Sequence, residues 1–226
     1  MSLALNFQMI KKLIAKDWYL TRKINALYLA GGIFALSFMS LGEWQFYIAC
    51  VLLITVLIGL GNHQISITII QERKEQTLPF IMSLPISPMD YIIAKMIANL
   101  TIFIVPWAII LVGMIAVFIF TPIPDGLLPF FIIICLMMLM NYCITWSVGM
   151  SIASEGSIIF VMIALNCLIN PVLYFLGRIP DIGNYVKSAD MVWNSTATGM
   201  VAAEIVILIL ALIIALYIQA RKKVFL

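Results

Sequence analysis

The sequence predicts an all-α, polytopic membrane protein, and three observations carry that prediction. Hydrophobic residues make up 64% of the 226 and charged residues only 10%, against roughly 45–50% and 25% in soluble domains. The apolar runs are continuous over about 20 residues, enough for helical spans, and lack the two-residue alternation of a β-barrel. The four cysteines, Cys50, Cys135, Cys143 and Cys167, all fall inside apolar runs. They imply neither a disulfide framework nor metal-ligand spacing.

Residues 1–22 form the first expected unit. Leu3, Phe7, Ile10, Ile14 and Trp18 share one helical face, with Lys12, Lys16, Tyr19 and Lys23 across from them. This pattern suits a helix lying in the headgroup region with its lysines toward anionic lipid. The alternative is a basic flank of the first span. No cleavable signal peptide is expected, because the first apolar run follows a long basic segment and is about 19 residues long. Residues 23–226 then read as a six-span transmembrane domain, with spans over about 24–41, 44–70, 91–121, 126–153, 157–177 and 200–220. The second, third and fourth exceed what a bilayer requires, so they tilt, kink or protrude. Pro106 and Asn170-Pro171 are the candidate kinks. Gly31-Gly32 with Ala35, and Thr145, Gly149 and Ala153, supply small residues at spacings that favour close helix packing.

Eleven of the thirteen Lys and Arg residues fall on one side of such a topology, leaving only Arg178 and Lys187 on the other. The positive-inside rule therefore puts both termini and the Gln71–Asp90 loop in the cytoplasm of a cell bounded by this inner membrane. The outer connection from Arg178 to Gly199 includes a glycosylation sequon at Asn194-Ser195-Thr196. A net charge of +3 gives no reason to expect nucleic acid.

The loop is the one sizeable break in the hydrophobic sequence. Four charges, Glu72, Arg73, Lys74 and Glu75, precede an apolar block fenced by Pro79 and Pro85. Thr77 can cap a short helix that tolerates Pro79 in its first turn and ends at Pro85. About two turns are unstable alone, so contacts must hold them. Ser87-Pro88-Met89-Asp90 then provides a cap, a first-position proline and an acid for the third span. Leu78, Phe80, Ile81, Met82 and Leu84 need a cover, either lipid headgroups or a cytoplasmic partner.

The run ERKEQTLPFIMSLPISPMDYIIAK, Glu72 to Lys95, resembles the first cytoplasmic loop of ABC-transporter permeases of the type-2 exporter family. The matching features are Glu72-Arg73, Thr77-Leu78, Ser83-Leu84-Pro85, Ser87-Pro88 and Lys95, with Gln76 where many members carry glycine. The resemblance implies a half-transporter permease with an amphipathic elbow helix at its N-terminus. Such permeases pair with a second copy or a homologous permease and associate with two ATP-binding subunits. It further implies a coupling helix at Thr77–Leu84, between spans two and three, seated in an ATPase groove. On this reading Glu72, Arg73, Thr77, Leu78, Phe80, Ile81, Met82 and Leu84 form the ATPase-coupling element.

The chain has no phosphate-binding loop, so ATP and magnesium belong to the partner and this chain is not an enzyme. Its single histidine, His63, lies in a span, leaving no hydrolytic triad. Buried charge pairs of the kind that relay ions are not evident in the spans. Asn62, His63, Asn166 and Asn170 are the candidate substrate path or dimer seam. The plainer reading makes them hydrogen-bonding glue between helices. A path so short of polar anchors implies hydrophobic or amphipathic cargo, such as a peptide, an antibiotic or a lipid-like molecule. A non-transporting scaffold or sensor that recruits a cytoplasmic protein, and a small secondary transporter, are the competing functions.

Overall fold

The computed structural model describes residues 6–75 and 86–221, and among them every regular element is helical. In order these are α1 (Phe7–Phe38), α2 (Glu43–Ile65), a π-helical segment (Ser66–Gln71), α3 (Glu72–Lys74), α4 (Pro88–Phe120), α5 (Leu127–Ser151), α6 (Glu155–Arg178), α7 (Pro180–Gly183) and α8 (Ser195–Arg221). Five helical stretches are long and apolar enough to cross a bilayer: Glu43–Lys74, Met89–Phe120, Leu127–Ser151, Glu155–Arg178 and Ser195–Arg221. The remaining expected span, 24–41, falls in α1, whose first half carries Lys11, Lys12, Lys16, Arg22 and Lys23. The helix expected at Thr77–Leu84 lies outside the described residues.

Residues 1–22 do not stand apart as a separate elbow. α1 runs unbroken through Arg22, and its first half stacks along the start of α4. The Asn6 N–H donates to Asp90 Oδ1 (3.1 Å), Lys95 Nζ to Asp17 Oδ2 (2.8 Å), and Trp18 Nε1 to Thr101 Oγ1 (3.2 Å). The buried face is Ile10, Leu13, Asp17, Thr21 and Asn25, whereas Phe7 is 74% exposed. This face is turned from the apolar one expected on the wheel. Asp17 has a cation 78 positions away, a partner that hydropathy does not register.

The helices gather into two lobes. α1, α2 with its π continuation, and α4 form one; α5, α6 and α8 form the other. In the first, Gly32 lets α1 approach Ile110 of α4, and Gly113 returns the favour to Leu36; a Cβ at either glycine would lie 2.7 Å from its neighbour. Ala35 beside them is fully buried. In the second, α5 is the central post, burying Met137, Met138, Cys143 and Trp146. Gly149 admits Ile69, with a Cβ distance of 3.2 Å, while Ala153 lies past the helix end and is exposed. Phe103 of α4 and Tyr142 of α5 stack across the lobes at 4.0 Å and 5°. α4 and α6 continue through Pro106 and Pro171.

α1 and α4 have 32 and 33 residues, close to 50 Å at about 1.5 Å per residue. A hydrocarbon layer of about 30 Å takes about 20 of them. Counted from the ends at Met39 and Phe120, the layer closes near Tyr19 and Leu100. The first lobe thus extends well past it at the basic end, which resolves the excess length as protrusion.

At the opposite end the connection after α6 folds back on the turn between α4 and α5. Gly126 N–H donates to Ser188 O (3.1 Å). Asn194 caps α8 by accepting from Ala197 N (2.8 Å), and its amide donates to the Asp181 carbonyl. A Cβ on Gly126 would lie 2.0 Å from Tyr185 O, a backbone atom that cannot rotate away. Gly126→Ala is therefore expected to expel the 185–188 turn and lower stability by about 1–3 kcal/mol. A thermal-unfolding midpoint equal to that of the parent chain in detergent would contradict this.

Candidate functional site at the foot of the second span

Three helices of the first lobe each carry a polar stripe at four-residue spacing. The stripes are Asp17, Thr21 and Asn25 on α1; Gln64, Thr68 and Glu72 on α2 and its continuation; and Lys95 and Asn99 on α4. All eight are buried. This spacing puts each set on one helical face, so the helices meet along a shared polar seam. Its outer portion is charged.

Lys95 Nζ sits 2.8 Å from both Asp17 Oδ2 and Glu72 Oε1, and donates to Thr68 O at 3.0 Å. Lys16 donates to the same Glu72 oxygen. Tyr91 Oη donates to Glu72 Oε2 at 3.0 Å. Two carboxylates and two ammoniums thus balance in a space where Asp17 and Lys95 are each only 2% exposed. Burial pushes the Asp17 carboxyl above the ordinary carboxylate range, against the downward pull of Lys95. Deeper in the seam, Gln64 Nε2 and Tyr142 Oη both donate to Asn99 O, at 2.8 and 3.0 Å.

Arg73, the next residue, points into the other lobe. Its guanidinium donates to Gly149 O (2.6 Å) and Ile152 O (2.5 Å), the carbonyls a helix C-terminus leaves without partners. A cation is favoured there by the helix dipole as well. Gln219 of α8 donates to Met150 O, and Lys74 pairs with Glu155 at 3.2 Å. Consecutive residues at the foot therefore grip different lobes: Glu72 holds α1 and α4, while Arg73 holds α5. Asp90 completes the junction. Its carboxylate accepts from Ser87 N (2.9 Å) in the expected capping box and from Asn6 N at the start of α1.

Of the expected coupling residues, Glu72 and Arg73 belong to this junction; Thr77, Leu78, Phe80, Ile81, Met82 and Leu84 lie outside the described residues. The candidate path residues separate. Asn62 and Asn166 line one recess between the lobes, with Leu57, Gly61, Asn141 and Thr145. Its enclosed part has room for about one water. Asn141 Nδ2 reaches Asn166 Oδ1 at 3.5 Å. Asn170 is exposed one turn along α6, and His63 is exposed on the other side of α2, edge-on to Tyr28 at 6.1 Å. Asp17, Lys16, Tyr91 and Asn141 were not among the residues singled out. The repeated four-residue stripes within apolar sequence were the signal for Asp17. Among the described residues no cluster of side chains could hold a metal ion.

A family model described as ABC-2 family transporter protein matches residues 1–223. No curated protein and no solved structure matches the chain.

Removing one partner from a buried ion pair costs about 3–5 kcal/mol, because the other charge stays behind. Asp17→Asn alone and Lys95→Met alone should each destabilise the chain by about that much. The double variant keeps the Lys16–Glu72 pair and should recover most of the loss. Additive losses in a double-mutant cycle on thermal unfolding in detergent would contradict the coupling.

Proposed function

Since this chain belongs to the ABC-2 family of transporter proteins, we propose that it is the six-span permease subunit of an ATP-driven exporter in the cytoplasmic membrane, with both termini inside. Two permeases and two ATP-binding subunits make up the assembly, and ATP with magnesium is bound by the latter. The segment from Thr77 to Leu84 is its coupling helix, covered by the ATP-binding subunit. The observation that carries this reading is the junction: Glu72 and Arg73, at the near edge of that segment, grip the two lobes separately. A displacement of the segment acts on both lobes through adjacent residues. A loop that merely joined two spans has no need of such a foot.

The cargo is hydrophobic or amphipathic and passes along the faces bearing Asn62 and Asn166, where the lobes leave a recess with amide groups set among Leu57, Ile58 and Met138. Exposed Asn170 and His63 are available to a second copy or to lipid. The carbonyl and amide of each asparagine offer both an acceptor and donors, which suits cargo that carries peptide bonds.

Copurification in mild detergent is the direct test, and a preparation that never retains an ATP-binding subunit would remove the proposal's main support. Phe80→Asp should weaken that association at least about tenfold, roughly 1.4 kcal/mol, while insertion is unchanged; equal retention in a pull-down would refute the coupling helix. Asn166→Leu should reduce cargo-stimulated ATP hydrolysis in liposomes several-fold with the complex intact. Unaltered stimulation would return the recess asparagines to a packing role.

A further inference from the structure

The second span does not reach its foot as a plain α-helix. Ser66–Gln71 is π-helical and leads directly into Glu72. A π turn closes its hydrogen bonds over one more residue than an α turn and is uncommon outside functional sites. It acts as one extra residue wound into the helix. If the segment tightened into α geometry, each residue would advance further around the axis. The foot would then rotate by about 100°, one position on the helical wheel.

That single position decides which side chain meets the charges. In the π register Glu72 is buried against Lys16, Lys95 and Tyr91, while Gln71 is exposed. In the α register Gln71 would take the place of Glu72. Glu72 would move to the bearing now held by Arg73, and Arg73 would be carried away from Gly149 O and Ile152 O. Both grips would release together. Lys95 bears on the choice twice, because its ammonium holds Glu72 at 2.8 Å and the Thr68 carbonyl, inside the π segment, at 3.0 Å.

We propose that Ser66–Gln71 is a register switch latched by Lys95, whose conversion from π to α turns the foot by one residue and frees both lobes at once. The proposal rests on reading the adjoining segment as the driven element, and it supplies the step between a push there and motion of the spans. At rest the charges favour the π register. The α register would leave Lys16 and Lys95 facing one carboxylate and a neutral glutamine.

The test reads the register directly and needs no ATP-binding subunit. The full chain, with its four native cysteines replaced by alanine, carries Gln71→Cys and is labelled in inside-out membrane vesicles with a membrane-impermeant maleimide. Lys74→Cys serves as the reference. With Lys95 present, Gln71→Cys should label readily. With Lys95→Met, or with Glu72→Gln should that variant fail to accumulate, labelling at 71 should fall at least about threefold while labelling at 74 holds. Loosening of the fold would raise labelling, so protection is specific to the turn. Unchanged or increased labelling at 71 would overturn the switch. Protection at 71 combined with unaltered partner binding in Phe80→Asp would keep the switch and remove the coupling helix; the reverse pair of results would do the opposite.

Discussion

The arrangement of the basic end depends on one ammonium group, that of Lys95. Placed 2.8 Å from Asp17 and from Glu72, it joins the first helix, the foot of the second span and the start of α4. A buried charge of this kind is weak evidence for stability, since desolvation offsets much of the attraction. What it contributes is selection among registers. Apolar contacts between these helices tolerate sliding and rotation; an ion pair with Lys16 and Tyr91 around it does not. The upright packing of α1, the direction of its buried face and the bearing of Glu72 all follow from satisfying these charges together.

The two-lobe division gives that local constraint a longer reach. Lobe contacts cross through Phe103 on Tyr142 and through the asparagine recess, and at the basic end through Arg73 on α5. The Asn99 carbonyl belongs to both arrangements, accepting from Gln64 in its own lobe and from Tyr142 in the other. A continuous hydrogen-bonded route therefore runs from the charged junction to the wall of the recess.

Much of this fold was legible because a bilayer leaves little freedom. Five long apolar runs became α2, α4, α5, α6 and α8, with ends within a few residues of those expected. The Ser87–Asp90 cap formed as its residues dictate. Legibility failed where a side chain's partner lies far along the chain. The wheel of residues 3–18 promised an apolar face through Phe7 and Ile14, but Asp17 turned α1 toward Lys95. The charges of Glu72 and Arg73 looked like those of any loop, and nothing local shows that one would be buried and the other would cap a helix from the opposite lobe. Four nearby asparagines and histidine invited a single path, yet the recess collects Asn62 and Asn166 and leaves His63 beside Tyr28, because a helix sends neighbouring residues in directions about 100° apart.

The cap at the far end bears on how the chain can be handled. Asn194 matches a glycan acceptor, but its side-chain oxygen holds Ala197 N and its amide holds the Asp181 carbonyl. A sugar linked to that amide nitrogen would be attached before α7 closes over it, and would keep the two from meeting. In a host that glycosylates such sequons, sugar on this residue would mark chains whose outer cap never shut, and its absence would mark those that folded promptly.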